Sequence, residues 1–227
     1  MGAATGTREA AATAASRRAP ARRGGEAVID CLVARHRHLP RDRMGQRLPV
    51  AGRQLLIQAA HDLYGLSLTA HDLVRDEHKR WSVPAHGLSA SVAHCADYSA
   101  VAFGPGLRLG VDIQDERDRP GAMRWLGELL GHPEGRPATL REFAECEALI
   151  KASHVTKETF AGVRLPAWRP GWRLGNVGGY HLRSLTLPGG GMHLALAADR
   201  AVPVRWWSRP RPDARPAMTD VPRWEAA

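Results

Sequence analysis

Asp112 and Gln114 lie two residues apart in the run Leu109-Gly-Val-Asp-Ile-Gln114, and Glu147 and Lys151 lie four apart in Phe143-Ala-Glu-Cys-Glu-Ala-Leu-Ile-Lys151. Side chains of an extended strand alternate between faces. Leu109, Val111 and Ile113 therefore turn one way, while Asp112 and Gln114 present oxygens on the other. Helix positions four apart share a face, which puts the Glu147 carboxylate one turn from the Lys151 ammonium. Two carboxylates and an amide oxygen suit a hard cation such as Mg2+, which is held by a few protein oxygens together with substrate phosphates. Taken singly, such a Glu/Lys pair is ordinarily a solvated ion pair worth about 0.3–0.5 kcal/mol, and an Asp that closes an apolar run is ordinarily a turn former. The order and spacing of the two motifs together point to a site for phosphate chemistry.

Flanking patterns predict the elements that must hold these residues. Pro49 to Tyr64 carries an apolar stripe of Leu55, Leu56, Ala59, Ala60 and Leu63, with Pro at a tolerated first position and Gly65 as the stop, and predicts a helix. Extended runs follow at Leu88 to His94, Ser99 to Phe103 and Leu107 to Ile113. Thr139-Leu-Arg-Glu142 has the form of a capping box opening a helix through about Ser153. Strands are expected near Trp172 to Leu174, Tyr180 to Leu187 and Met192 to Ala198, the last two joined by a turn at Pro188-Gly-Gly-Gly191. A helix followed by strands, twice over, predicts an α+β fold.

Composition narrows the function classes. At 227 residues and 44% hydrophobic content the chain can bury a core. Cys31, Cys95 and Cys146 are far apart and form no Cys-x-x-Cys, so neither a disulfide framework nor a thiolate zinc site is indicated. No apolar run reaches membrane-spanning length and no apolar signal core opens the chain, so a soluble cytoplasmic protein is expected. The net charge of +9 suggests a polyanionic partner, but five arginines against Glu9 put +4 of it in residues 1–25. That stretch, rich in Ala, Arg, Thr and Gly, reads as a disordered basic tail. Residues 201–227, with Arg209-Pro-Arg-Pro212, read as a second, Pro/Arg-rich tail. No helix-turn-helix, zinc or aromatic RNA-binding signature supports a nucleic-acid module.

Three motifs occur in order: Ser91-Val-Ala-His94, Gly110 to Gln114 and Phe143 to Lys151. They resemble the 4'-phosphopantetheinyl transferase family in its larger form, where two similar halves lie in one chain. The likeness runs roughly from Arg47 to Ala198. It implies two similar helix-plus-antiparallel-sheet halves in pseudo-twofold arrangement, residues 26–115 and 116–200, with the active site in the cleft between them and a monomer able to complete it. The implied reaction transfers phosphopantetheine from coenzyme A to a serine of an apo acyl or peptidyl carrier protein, with Mg2+ held by Asp112, Gln114 and Glu147. Glu147 is the implied base and Lys151 stabilises the leaving phosphate. His94 contacts the 3'-phosphate of coenzyme A, and Lys79 and Arg47 are further contacts. Four positions depart from the family pattern: Gln114 replaces Glu, Cys146 replaces Lys, Phe143 replaces Trp and Ala93 replaces Ser. The amide at position 114 removes one negative charge from the ligand set and lowers the expected metal affinity. A degenerate member that binds coenzyme A or a carrier without transfer is the alternative.

Overall fold

The structure, a computed structural model, describes residues 26–35, 47–95, 98–116, 119–188, 191–211 and 213–220; the side chains of residues 47–51 are not among those described. The segment 1–25, expected as a tail, lies outside the described residues. In chain order the elements are β1 (Ile29–Arg35), α1 (Arg47–Tyr64), β2 (Val74–Arg75), β3 (Trp81–Val83), a short 3-10 turn (Pro84–His86), β4 (Leu88–Cys95), β5 (Tyr98–Pro105), β6 (Leu109–Asp115), α2 (Pro120–Leu129), α3 (Leu140–Ala152), β7 (Arg173–Leu174), β8 (His181–Thr186), β9 (Met192–Ala198), β10 (Val204–Arg209) and β11 (Ala217–Thr219). This is a mixed α+β fold.

Two sheets form, one of seven strands in the order β11-β10-β1-β5-β4-β3-β2 and one of four in the order β6-β9-β8-β7. Among the described residues all pairings are antiparallel except β1 with β10. Alternation along each strand builds the layers. From β1, Ile29, Cys31 and Val33 enter a core between the sheets, where they meet Leu109, Val111 and Ile113 of β6 and Leu194 and Leu196 of β9. Leu32 and Ala34 point the other way, under Leu56, Ala59 and Ala60 of α1. On the outer face of the smaller sheet, Ala195 and Ala197 pack with Ala144, Ala148 and Leu149 of α3. The order through the molecule is helix, sheet, sheet, helix.

Local signals account for most of these elements. Gly65 takes the left-handed conformation at φ 67° that ends α1, and its amide donates to the His61 carbonyl at 2.8 Å. The capping box of α3 is reciprocal: the Thr139 hydroxyl accepts from the Glu142 amide at 3.2 Å, and the Glu142 carboxylate accepts from the Thr139 amide at 2.7 Å. Helix α2 was not anticipated; two of its ten residues are glycine. Gly127 is there for close approach, since a Cβ would overlap the backbone carbonyl of Arg136.

The C-terminal segment departs from the expected tail. Within its described part, β10 lies beside β1 at the middle of the large sheet and β11 extends the edge. Pro203 and Pro210 bracket β10 rather than interrupt it, so neither removes a ladder hydrogen bond. Trp206 enters the core between the sheets. The strands also do not divide at residue 115: β6 pairs with β9 along its length and belongs to the smaller sheet, while the larger one is completed by the chain's end. Among the described residues no helix is long and apolar enough to cross a membrane.

Candidate functional site

Strand β6 and helix α3 touch where β6 has no side chain. A Cβ on Gly110 would overlap the Ala148 carbonyl oxygen and stand 2.8 Å from the Ala152 nitrogen, so the missing methyl lets the helix backbone lie directly on the strand. Two residues on, the same face of β6 presents Asp112, which is 4% exposed. The Lys151 ammonium reaches it from α3 and donates to Asp112 Oδ1 at 2.7 Å and to the Val111 carbonyl at 3.0 Å. The Gln114 amide donates to Asp112 Oδ2 at 2.5 Å. From the other side, the Val111 amide donates to the Ser91 hydroxyl on β4 at 3.0 Å. Residues of all three motifs thus converge on Val111 and Asp112.

Glu147 lies one turn before Lys151. Its carboxylate is 3.8 Å from the ammonium of Lys157, on the loop that follows α3. Both line a groove between α2 and α3 whose walls are apolar, among them Trp125, Leu129, Phe143, Ile150 and Phe160. Cys146 also faces this groove, and burial first, then the carboxylates of Glu145, Glu142 and Glu147, push its thiol well above the ordinary range, so it carries no charge. Phe143, at the position of the expected Trp, carries the guanidinium of Arg119 over its ring at 5.0 Å. Ala93 is buried in the core between the sheets, where a hydroxyl would need a partner.

The remaining expected residues are spread around this centre. His94 is half-buried on β4, and by alternation it shares the face of Ala90 and Val92, which pack toward α1. Gly52 of α1 sits against Val92, so the first turns of α1 lie over the His94 end of β4. Arg47 opens that helix; its side chain lies outside those described. Lys79 occupies the turn between β2 and β3 in the left-handed conformation, φ 64°. The Thr156 hydroxyl, with smaller help from the Glu158 amide, Lys157 and Lys79, holds the Glu158 carboxyl below its ordinary range. Next to Lys79 in the chain, Arg80 donates to the Ala152 carbonyl at the end of α3 at 3.5 Å.

Asp112, Gln114 and Glu147 offer oxygen donors, the type Mg2+ takes. Among the described residues no group of three or more His, Cys, Asp and Glu side chains is arranged to hold a metal ion. The expected set contains only two acids, with an amide as its third member. The donors fit the ion in kind, and the ammonium of Lys151 supplies the positive charge opposite Asp112.

Two residues were absent from the sequence-based set. Lys157 sits on a loop, where no periodicity marks it. Glu145 is fully buried on the sheet side of α3 and pairs with Arg173 at 2.6 Å, with Ser184 and Arg141 as further donors. The signal for Glu145 was its place one turn after Arg141 on an otherwise apolar helix face. Among known proteins, no family model matches the chain and none of the curated proteins matches it.

Proposed function

We propose that the protein transfers the 4'-phosphopantetheine group of coenzyme A to a serine of an apo acyl or peptidyl carrier protein, on a two-half phosphopantetheinyl transferase fold. The observation that carries this reading is the convergence on Val111 and Asp112: Ser91, Asp112 and Lys151 are far apart in sequence and belong to three separate motifs, yet they are joined by hydrogen bonds. They meet because β4 and α3 both pack against β6 at this point.

In the proposed reaction the serine hydroxyl oxygen attacks the β-phosphorus of coenzyme A. The bond from that phosphorus to the oxygen bridging the α-phosphate breaks, and its electron pair leaves with adenosine 3',5'-bisphosphate. Glu147 accepts the hydroxyl proton; it lines an accessible groove, and its contact with Lys157 is too long for a hydrogen bond. Asp112 is held in place by Lys151 and Gln114, so the strand's carboxylate is preorganised before substrate arrives. Asp112, Gln114 and Glu147 would hold Mg2+, which supplies charge neutralisation for the phosphates. His94, Lys79 and Arg47 are proposed contacts of coenzyme A. Binding without transfer is the second reading, and the engagement of both Asp112 oxygens by protein donors favours it.

The deciding experiment is intact-protein mass of several apo carrier proteins after incubation with this protein, coenzyme A and Mg2+, beside Asp112→Ala. A gain of one phosphopantetheine group that the variant does not produce is the expected result. Absence of any gain on every carrier would overturn the transferase, and retained coenzyme A binding would then select the second reading.

A further inference from the structure

Two lysines stand near Glu147, and they are not equivalent. The Lys151 ammonium has three donors, of which Asp112 and the Val111 carbonyl take two. Its carboxylate partner is only 6% exposed and also accepts from the Gln114 amide, so in the structure both of these Lys151 contacts lie within the protein. Lys157 makes one long contact, 3.8 Å to Glu147, and its side chain is 63% exposed. An exposed pair at that separation contributes almost nothing, so the ammonium can leave Glu147 for a more highly charged anion at little cost.

The surroundings limit where else a cation could come from. Cys146, the helix neighbour of Glu147 in the same groove, is an uncharged thiol, and the rest of the lining apart from Glu147 and Lys157 is apolar. Among the described residues that line the groove, Lys157 is the cation, and it comes from the loop; Arg119 lies over the Phe143 ring at 5.0 Å. A lysine on a flexible stem is a point charge suited to a phosphoryl oxygen.

We infer that Lys157 is a binding residue that meets the phosphoryl oxygens of the substrate beside Glu147, while Lys151 stays paired with Asp112. This rests on the transferase reading above. The test uses the full-length protein with Lys157→Ala, Lys157→Arg and Lys157→Glu, and measures kcat and KM for coenzyme A and for an apo acyl carrier protein, coenzyme A binding by calorimetry, and Tm. Lys157→Ala should lower kcat/KM for coenzyme A by about 10- to 100-fold and weaken coenzyme A binding, with KM for the carrier and Tm unchanged. Lys157→Arg should recover most of the loss, and Lys157→Glu should exceed it. A Lys157→Ala enzyme within about twofold of the parent, or one whose only change is KM for the carrier, overturns the inference and leaves the transferase intact. A parent protein that neither binds coenzyme A nor modifies a carrier sinks both.

Discussion

Glycine at position 110 is required by contact, not by backbone conformation. A Cβ there would run into the Ala148 carbonyl and approach the Ala152 nitrogen, and neither backbone atom can yield without moving α3. Gly110→Ala should therefore destabilise the protein by about 2–3 kcal/mol, in the upper part of the range for overpacked sites, and lengthen the Asp112–Lys151 pair. Gly178→Ala, where a Cβ would meet nothing within 4 Å, should change stability by less than about 0.5 kcal/mol. Urea titrations of the two variants check this, and equal midpoints would remove the close-approach argument. At this scale the sequence was informative wherever a side chain's direction follows from spacing. Asp112 and Gln114 share a face because strands alternate, and Lys151 reaches Asp112 because Gly110 lets its helix come close. Lys157 follows from no spacing, because its position depends on the path of a loop.

Helix α3 is held on both sides, and the two attachments differ in kind. Toward β6 it offers a partly exposed lysine; toward β7 and β8 it buries Glu145 against Arg173, which are 0% and 1% exposed as side chains. Removing Arg173 leaves the fully buried Glu145 with Arg141, 3.3 Å away, as its remaining charged partner among the described residues. Arg173→Ala should cost about 3–5 kcal/mol, whereas truncating the exposed Lys157 should leave stability nearly unchanged; thermal unfolding of the two variants measures the difference. A loss below about 1 kcal/mol for Arg173→Ala would mean that water reaches Glu145. Elements with strong local signals, α1, α3, β4, β5, β6, β8 and β9, were legible in advance. Helix α2 was not; one of its two glycines, Gly127, answers to a neighbouring segment. Strand β1 was not singled out either; Asp30 interrupts its apolar run, and the partners that let it be buried lie in distant segments.

The largest gap between sequence and structure is at the scale of the whole molecule, because it concerns which distant segments share a sheet. Strand β10 lies parallel to β1, more than 170 residues away in sequence, and Asp30 ties the two together. This carboxylate is 2% exposed and accepts from Arg205 at 2.8 and 2.6 Å, from the Trp207 indole at 2.8 Å and from the Tyr64 hydroxyl at the end of α1 at 2.7 Å. Arg209 adds a bond to Asp62 of α1 at 2.6 Å. None of this was legible from a segment rich in Arg and Pro, since its arginines find their partners only after the sheet has formed. Truncation after Arg200 would strip β1 of one neighbour, remove Trp206 from the core and leave Asp30 with Tyr64 as its remaining partner among these donors. A buried carboxylate that loses its charged donor is a severe defect, and β1, left with β5 on one side only, becomes an open edge with exposed backbone polar groups. The truncated chain should fail to unfold cooperatively, and Asp30→Asn in the full chain should cost about 2–4 kcal/mol. Circular dichroism melts of both decide the matter. A truncated chain with the parent's Tm would show that β10 is an accessory, whereas loss of its transition makes the C-terminal strand part of the scaffold that holds β6 against α3.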